Sequence, residues 1–303
     1  MTRWPSKAPG TLHRLVTNND SKAKESPMRS SWFFPILLAL LSSAPAFGQN
    51  ESAIPPGEDD AVARLNASPR HGEWVDIPYA GSKPLRSWIV YPERSDKAPV
   101  VIIIHEIFGL SDWIRAVADQ LAADGYIAIA PDFITGFGPG GGGSNSVSTR
   151  DSVVMLIRNV TADETYKRLD AVLAYASKIP AANGKTATVG FCWGGGRSFG
   201  YACHQPKLSA AIVYYGVSPD SSELAWLTVP VLGLYGGDDA RVGATVEPAF
   251  RQLRQLGVTF EHESYAGAGH GFARDQAGRN GANLVAIRQA WPRMLAFLKR
   301  YFQ

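Results

Sequence analysis

The run Gly190-Phe191-Cys192-Trp193-Gly194-Gly195-Gly196 holds the side chain with the plainest chemistry. It follows a strand expected over Thr186–Phe191 and opens a helix. A nucleophile elbow of the G-x-S-x-G kind has this context, here with cysteine in the serine position. A nucleophile on so tight a turn must stand clear of its own backbone. Glycines at 190 and 194 remove the Cβ atoms that would collide with the adjoining strand or helix. The helix start offers free N–H groups and positive potential, which favour a thiolate and can hold an oxyanion. The second cysteine, Cys203, falls on the same helix with no motif around it and reads as core packing. At about 1.5 Å of rise per residue the two thiols stand roughly 16 Å apart, beyond the reach of a disulfide.

A thiol nucleophile needs a base, and the base needs an orienting acid. His270 lies in Ala266-Gly267-Ala268-Gly269-His270-Gly271-Phe272, a glycine-bracketed loop after a strand. As base it would take the thiol proton, and as acid it would protonate the leaving oxygen. The candidate acids are Asp238 and Asp239, at the end of the strand that leads into Gly236-Gly237. Adjacent loop residues point in different directions, so one of them serves; Asp239 is preferred, with Asp238 in reserve. The order nucleophile, acid, histidine is the one this kind of triad follows along a chain. His13, His71, His204 and His262 fit no such constellation. His105-Glu106 closes an otherwise apolar strand, where the following loop supplies a second oxyanion donor. The residues read either as part of a site or as an ion pair at the strand mouth. No H-x-x-x-H and no second cysteine at ligand spacing suggests a metal, and Gly140–Gly143 lacks the Lys-Ser/Thr of a phosphate loop. No cofactor or metal is expected.

Such residues must be presented by a sheet. Short, partly alternating segments at Glu73–Ala80 and Leu85–Tyr91, broken by Gly81-Ser82-Lys83-Pro84, predict an antiparallel hairpin at a sheet edge. Val100–Ile104 is a continuous β-branched run suited to a strand buried on both faces. Further strands are expected at Tyr126–Ala130, Leu208–Tyr215, Val229–Tyr235 and Thr259–Tyr265. Helices are expected at Asp112–Asp124 after a Ser111 cap, at Thr161–Ser177 after a Thr161-x-x-Glu164 capping box, at Val246–Leu256 and at Asn283–Tyr301. This alternation predicts one α/β domain over 71–303, a mostly parallel sheet with helices on both faces. Residues 49–70 read as a flexible N-terminal stretch, and 134–147 as a mobile active-site loop or lid.

The formal net charge is +3. Residues 1–30 alone carry +4, from Arg3, Lys7, Arg14, Lys22, Lys24 and Arg29 against Asp20 and Glu25, so the remainder carries −1. The domain therefore has no basic bias for nucleic acid. Trp32–Phe47 is apolar and too short to span a membrane. Arg29 precedes it, and small residues follow at Ala44-Pro45-Ala46 and Ala46-Phe47-Gly48. That is the order of a secretory signal peptide, so residues 1–48 read as a leader, with Met28 as an alternative start. A periplasmic or secreted location is expected, without membrane attachment once the leader is cleaved.

Together, HEIFGL (105–110), APDF (130–133), GFCWGGG (190–196), YGGDD (235–239) and GHGFAR (269–274) resemble the dienelactone hydrolase family, within the α/β-hydrolase superfamily. The stretches occur in the family's order and span most of residues 70–303. The resemblance implies a Cys–His–Asp triad at Cys192, His270 and Asp239. It implies that Glu106 holds and activates the thiol, and that the backbone N–H groups of Ile107 and Trp193 form the oxyanion hole. It also implies a thiol that rests neutral until substrate displaces the glutamate. Dienelactone-specific members grip a substrate carboxylate with two arginines. Arg274 matches one, and Ile134-Thr135-Gly136 stands where the other is expected. The expected function is hydrolysis of a small carboxylic ester or lactone of the carboxymethylenebutenolidase type, by a monomer. A non-catalytic ligand-binding protein on the same fold, or an acyltransferase, is the alternative.

Overall fold

The Val100–Ile104 run is fully buried and alternates between two cores. Val100, Ile102 and Ile104 face one apolar cluster and Val101 and Ile103 the other. That double burial is what an uninterrupted β-branched sequence requires. The structure, a computed structural model, describes residues 54–79 and 83–303. The leader expected at 1–48, its cleavage site and the centre of the first hairpin turn lie outside the described residues.

All eight expected strands form: β1 (Gly72–Ile77), β2 (Leu85–Val90), β3 (Ala98–Ile104), β4 (Ile127–Pro131), β5 (Ala182–Phe191), β6 (Ala210–Tyr214), β7 (Val231–Gly236) and β8 (Phe260–Tyr265). They make one sheet in the order β1-β2-β4-β3-β5-β6-β7-β8. β2 runs antiparallel to both β1 and β4, and every other pairing is parallel. The sheet is therefore mostly parallel with an antiparallel edge, as the hairpin signal predicts.

The helices are α1 (Ala61–Ala67), α2 (Asp112–Ala123), α3 (Arg150–Ile157), α4 (Ala162–Ala176), α5 (Trp193–His204), α6 (Ser221–Leu224), α7 (Ala240–Gln255) and α8 (Ala282–Tyr301). α2 and α8 fill the core on one face, with Trp113, Leu121, Trp291 and Met294. α4, α5 and α7 fill the other with Leu169, Phe199, Val242 and Leu253. The predicted caps hold: the Ser111 hydroxyl accepts from the Ile114 N–H and the Thr161 hydroxyl from the Glu164 N–H. The described residues thus form a single α/β domain.

Two segments differ from expectation. Residues 54–70 are not a loose strand of chain: α1 packs on α2, with Ala61 buried and Leu65 partly so. Trp113 Nε1 donates to the Pro56 carbonyl at 3.1 Å. Arg70 and Asp119 form an almost fully buried ion pair at 2.7 Å. A stretch too polar and too short to fold alone is held by partners supplied from elsewhere in the chain. The Gly-rich loop is likewise tied down. Asp132 accepts from the Ile134 and Ser144 N–H groups and from the Ser144 hydroxyl. The Ser144 oxygen in turn accepts from the Leu110 N–H at 3.0 Å. Buried Arg168 donates to the carbonyls of Phe133 and Thr135.

Candidate active site

The carboxyl ends of β3, β5, β7 and β8 bring the expected residues together. Cys192 is the first residue beyond β5, with φ +54 and ψ −114, a conformation that L residues adopt only when the surroundings impose it. Its N–H donates to the Tyr214 carbonyl at 3.0 Å, which pins the turn to the next strand. The glycines around it work as the sequence suggests. A Cβ at Gly190 would lie 1.9 Å from the Gly194 carbonyl oxygen, and one at Gly194 would lie 2.1 Å from Ile104 O and 2.5 Å from His105 O. These neighbours are backbone atoms of β3, the loop just beyond it and α5, not side chains that could swing aside. Gly194→Ala is expected to cost about 3 kcal/mol or more, the large end of overpacking effects. An unchanged denaturation midpoint would contradict this packing.

His270 Nε2 lies 3.0 Å from Cys192 Sγ, and His270 Nδ1 lies 2.6 Å from Asp239 Oδ2. Asp239 is 9% exposed, and its other oxygen, Oδ1, accepts from the Val242 N–H at 3.4 Å as the N-cap of α7. One carboxylate therefore ends a strand, starts a helix and reaches the histidine. The sequence places the start of this helix at Val246; the structure starts it at Ala240, capped by Asp239. Asp238, the reserve choice, turns outward, half exposed, with Oδ2 3.5 Å from Arg279 Nη1. The structure brings Asp239, not Asp238, to His270.

His105 and Glu106 do not form an ion pair with each other. His105 is fully buried, and burial holds its pKa below the usual value. Its Nε2 accepts from the Phe133 N–H at 3.1 Å, so the ring proton sits on Nδ1, 2.8 Å from the Glu106 carbonyl oxygen to which it donates. The ring also stacks on Trp193 at 5.8 Å. His105 thus locks the loop after β3 to the loop after β4. Glu106 faces inward, 2% exposed. Its Oε1 lies 2.8 Å from Arg274 Nε, a charge contact in which the N–H is not aimed at the oxygen, so neither atom is well hydrogen-bonded.

Burial dominates the electrostatics. It pushes the Cys192 thiol up to about 11, and the nearby Glu106 charge adds to this. The N–H groups of Trp193 and Ile107 both bear on the sulfur and pull the other way, as does Arg241, but more weakly. The helix start was expected to favour a thiolate; it does so in direction, and desolvation outweighs it. The balance of these influences favours the neutral thiol. Burial also pushes Glu106 up to about 7 against the opposing pull of Arg274. The native state therefore holds the Glu106 proton more tightly than the unfolded chain does. Stability contributed by the protonated form is lost as pH rises from the ordinary carboxylate range through about 7. Glu106→Gln is expected to be more stable than the parent by about 3 kcal/mol at about pH 8 and equal to it near about pH 4. Urea midpoints at the two pH values check this, and an equal offset at both would contradict it.

Spacing in the sequence gives no sign of some neighbours. Tyr215, just beyond β6, is fully buried with φ +41, its ring edge-on to His270 at 5.2 Å. Its hydroxyl has no hydrogen-bond partner among the described residues. Arg274, expected to meet substrate, is engaged on its outer side by Glu58, with Nη1 2.5 Å from Oε2. Glu58 belongs to the N-terminal stretch that the sequence leaves without a role.

The dienelactone hydrolase family profile matches residues 85–302. An Escherichia coli (strain K12) protein with the provisional name carboxymethylenebutenolidase is 32% identical over 271 residues, covering 85% of this chain and 94% of that protein. Carboxymethylenebutenolidase 1 of Cupriavidus pinatubonensis is 29% identical over 218 residues, covering 68% of this chain and 88% of its own length. A crystal structure from Klebsiella pneumoniae, provisionally described as a dienelactone hydrolase, superposes with a TM-score of 0.68 at 30% identity, covering 77% of this chain and 99% of that one. Matched through nearly the whole sheet and both helical layers, the chain belongs to the dienelactone hydrolase family, hydrolases of the α/β-hydrolase fold that act on small molecules.

Proposed function

We propose that this chain is a cysteine hydrolase of small carboxylic esters or lactones. The observation that carries the reading is the continuous line Cys192 Sγ, His270, Asp239, with separations of 3.0 and 2.6 Å. Asp239 accepts a hydrogen bond from the His270 Nδ1–H and leaves Nε2 free to take the thiol proton. The sulfur then attacks the substrate carbonyl carbon. The resulting oxyanion is held by the N–H groups of Ile107 and Trp193, which already converge on the sulfur and gain strength where water is excluded. Collapse breaks the acyl C–O bond, and the His270 imidazolium protonates the departing oxygen. In a lactone that oxygen stays tethered to the acyl chain. Water, deprotonated by His270, attacks the thioester. Loss of the thiolate releases the carboxylic acid, and the sulfur recovers its proton from His270.

Glu106 sets when the thiol ionises. Its charge raises the cost of a thiolate beside it, so any shift of Glu106 towards protonation or away from the sulfur favours the nucleophile. Its unaligned contact with Arg274 makes such a shift inexpensive. Periplasmic or secreted export is part of the same proposal and rests on the order of Arg29, the apolar Trp32–Phe47 run and the small residues at Ala44–Gly48. The test of the function offers a panel of small esters and lactones to the parent protein before and after alkylation with iodoacetamide. Turnover removed in step with Cys192 alkylation supports the reading. Turnover that survives complete alkylation overturns it.

A further inference from the structure

Glu58 is held by two guanidiniums. Its Oε2 lies 2.5 Å from Arg274 Nη1, and its Oε1 pairs with Arg150 at the start of α3. Both guanidiniums also sit over the Phe108 ring, each 5.0 Å from its centroid. The backbone delivers the carboxylate to this spot. The Glu58 N–H donates to the Arg274 carbonyl at 2.9 Å, and Gln276 Nε2 donates to the Pro55 carbonyl at 2.9 Å. Arg274 therefore stands between two carboxylates, with buried Glu106 inside and Glu58 outside. Without Glu58, two cations would share one aromatic ring, with Glu106 the carboxylate paired to Arg274 among the described residues. Such a fork attracts an anion, and a carboxylate fits it with one oxygen to each arm. The fork is reachable from solvent, since the Arg150 side chain is 58% exposed and those of Glu58 and Arg274 are 24% and 20% exposed.

We propose that Glu58 is the resting occupant of a carboxylate site formed by Arg150 and Arg274, so that the N-terminal stretch competes with any free carboxylate for this fork. A carboxylate-bearing ligand enters by displacing Glu58, and a neutral one has no reason to. Glu58 and Arg150 then set how strongly the site discriminates by charge. Displacement also frees the 54–60 stretch, which Glu58 helps to hold against the loop carrying Arg274. The inference rests on the proposed function and adds to it a built-in competitor, Glu58, and a second arm, Arg150, but binding is read without turnover, so the two fail separately.

The probe is butyrate, with butyramide as its neutral counterpart and calorimetry as the readout. Glu58→Gln keeps the side-chain shape and the backbone contact to Arg274, and removes the competing charge. It is expected to bind butyrate about tenfold more tightly than the parent, the scale of partly exposed ion pairs released from competition. Glu58→Gln with Arg150→Gln is expected to lose that gain, and butyramide is expected to bind all three proteins alike. A Glu58→Gln protein that binds butyrate no more tightly than the parent overturns the proposal, as does an equal gain for butyramide. Amide hydrogen exchange in the unmodified protein gives a second reading. Saturating butyrate is expected to speed exchange over residues 54–60 where butyramide does not, and unchanged exchange under butyrate overturns the displacement.

Discussion

Cys192→Ala is expected to lower kcat for an ester substrate by about 10⁴-fold or more, the scale seen when the nucleophile of a triad is removed and only binding and the oxyanion donors remain. The fold should survive. Cys192 keeps its strained turn through backbone contacts that alanine preserves, among them the N–H bond to the Tyr214 carbonyl. The thiol makes no disulfide. The variant separates chemistry from binding, since Ile107, Trp193 and Arg274 are untouched. A Cys192→Ala protein within about tenfold of the parent would mean that the turnover comes from another group.

Asp239→Asn is expected to lower kcat by about 10²- to 10⁴-fold. The amide can still touch His270 Nδ1 but no longer stabilises the imidazolium, and it can present an N–H that forces the wrong tautomer. Asn also retains an oxygen for the α7 cap, where Oδ1 accepts from Val242, so helix loss does not confound the kinetics. Asp238→Asn is the matched control. Its carboxylate faces Arg279 at the surface, and ion pairs of that exposure are worth about 1 kcal/mol at most, so kcat should stay within about threefold. Paired kinetics of the two variants decide the matter. A larger loss at 238 than at 239 would contradict the hydrogen-bond line to His270.

The strands were legible because burial on both faces leaves a direct imprint on composition. Val100–Ile104 has no polar residue to spare, and its two sides fill two separate cores. The turn at Cys192 was legible for a steric reason, as Cβ atoms at 190 and 194 would strike backbone. Glycine there is a geometric necessity that spacing reveals. Residues 54–70 were not legible. Their order comes from Trp113, Asp119, Arg274 and Gln276, partners far along the chain, and no local pattern encodes a contact at that separation. The start of α7 was misplaced because its cap, Asp239, also serves as the partner of His270. Resolving Asp238 from Asp239 required coordinates, since a one-residue difference decides which side chain faces the histidine. The helix start on its own suggests a thiolate, while the family resemblance implies a neutral thiol. A helix start is visible in sequence, but the depth of burial that outweighs it is not.

The central claim is that Cys192 carries the acyl group between two half-reactions. Rapid acid quenching of the parent protein mixed with p-nitrophenyl acetate, followed by peptide mass mapping, tests it directly. Transient acetylation of the peptide that contains Cys192, appearing as p-nitrophenol is released and decaying as acetate forms, is the predicted result. Steady turnover with the acetyl group on a different residue, or with no acetylated peptide at any time while acetate accumulates, would contradict the account.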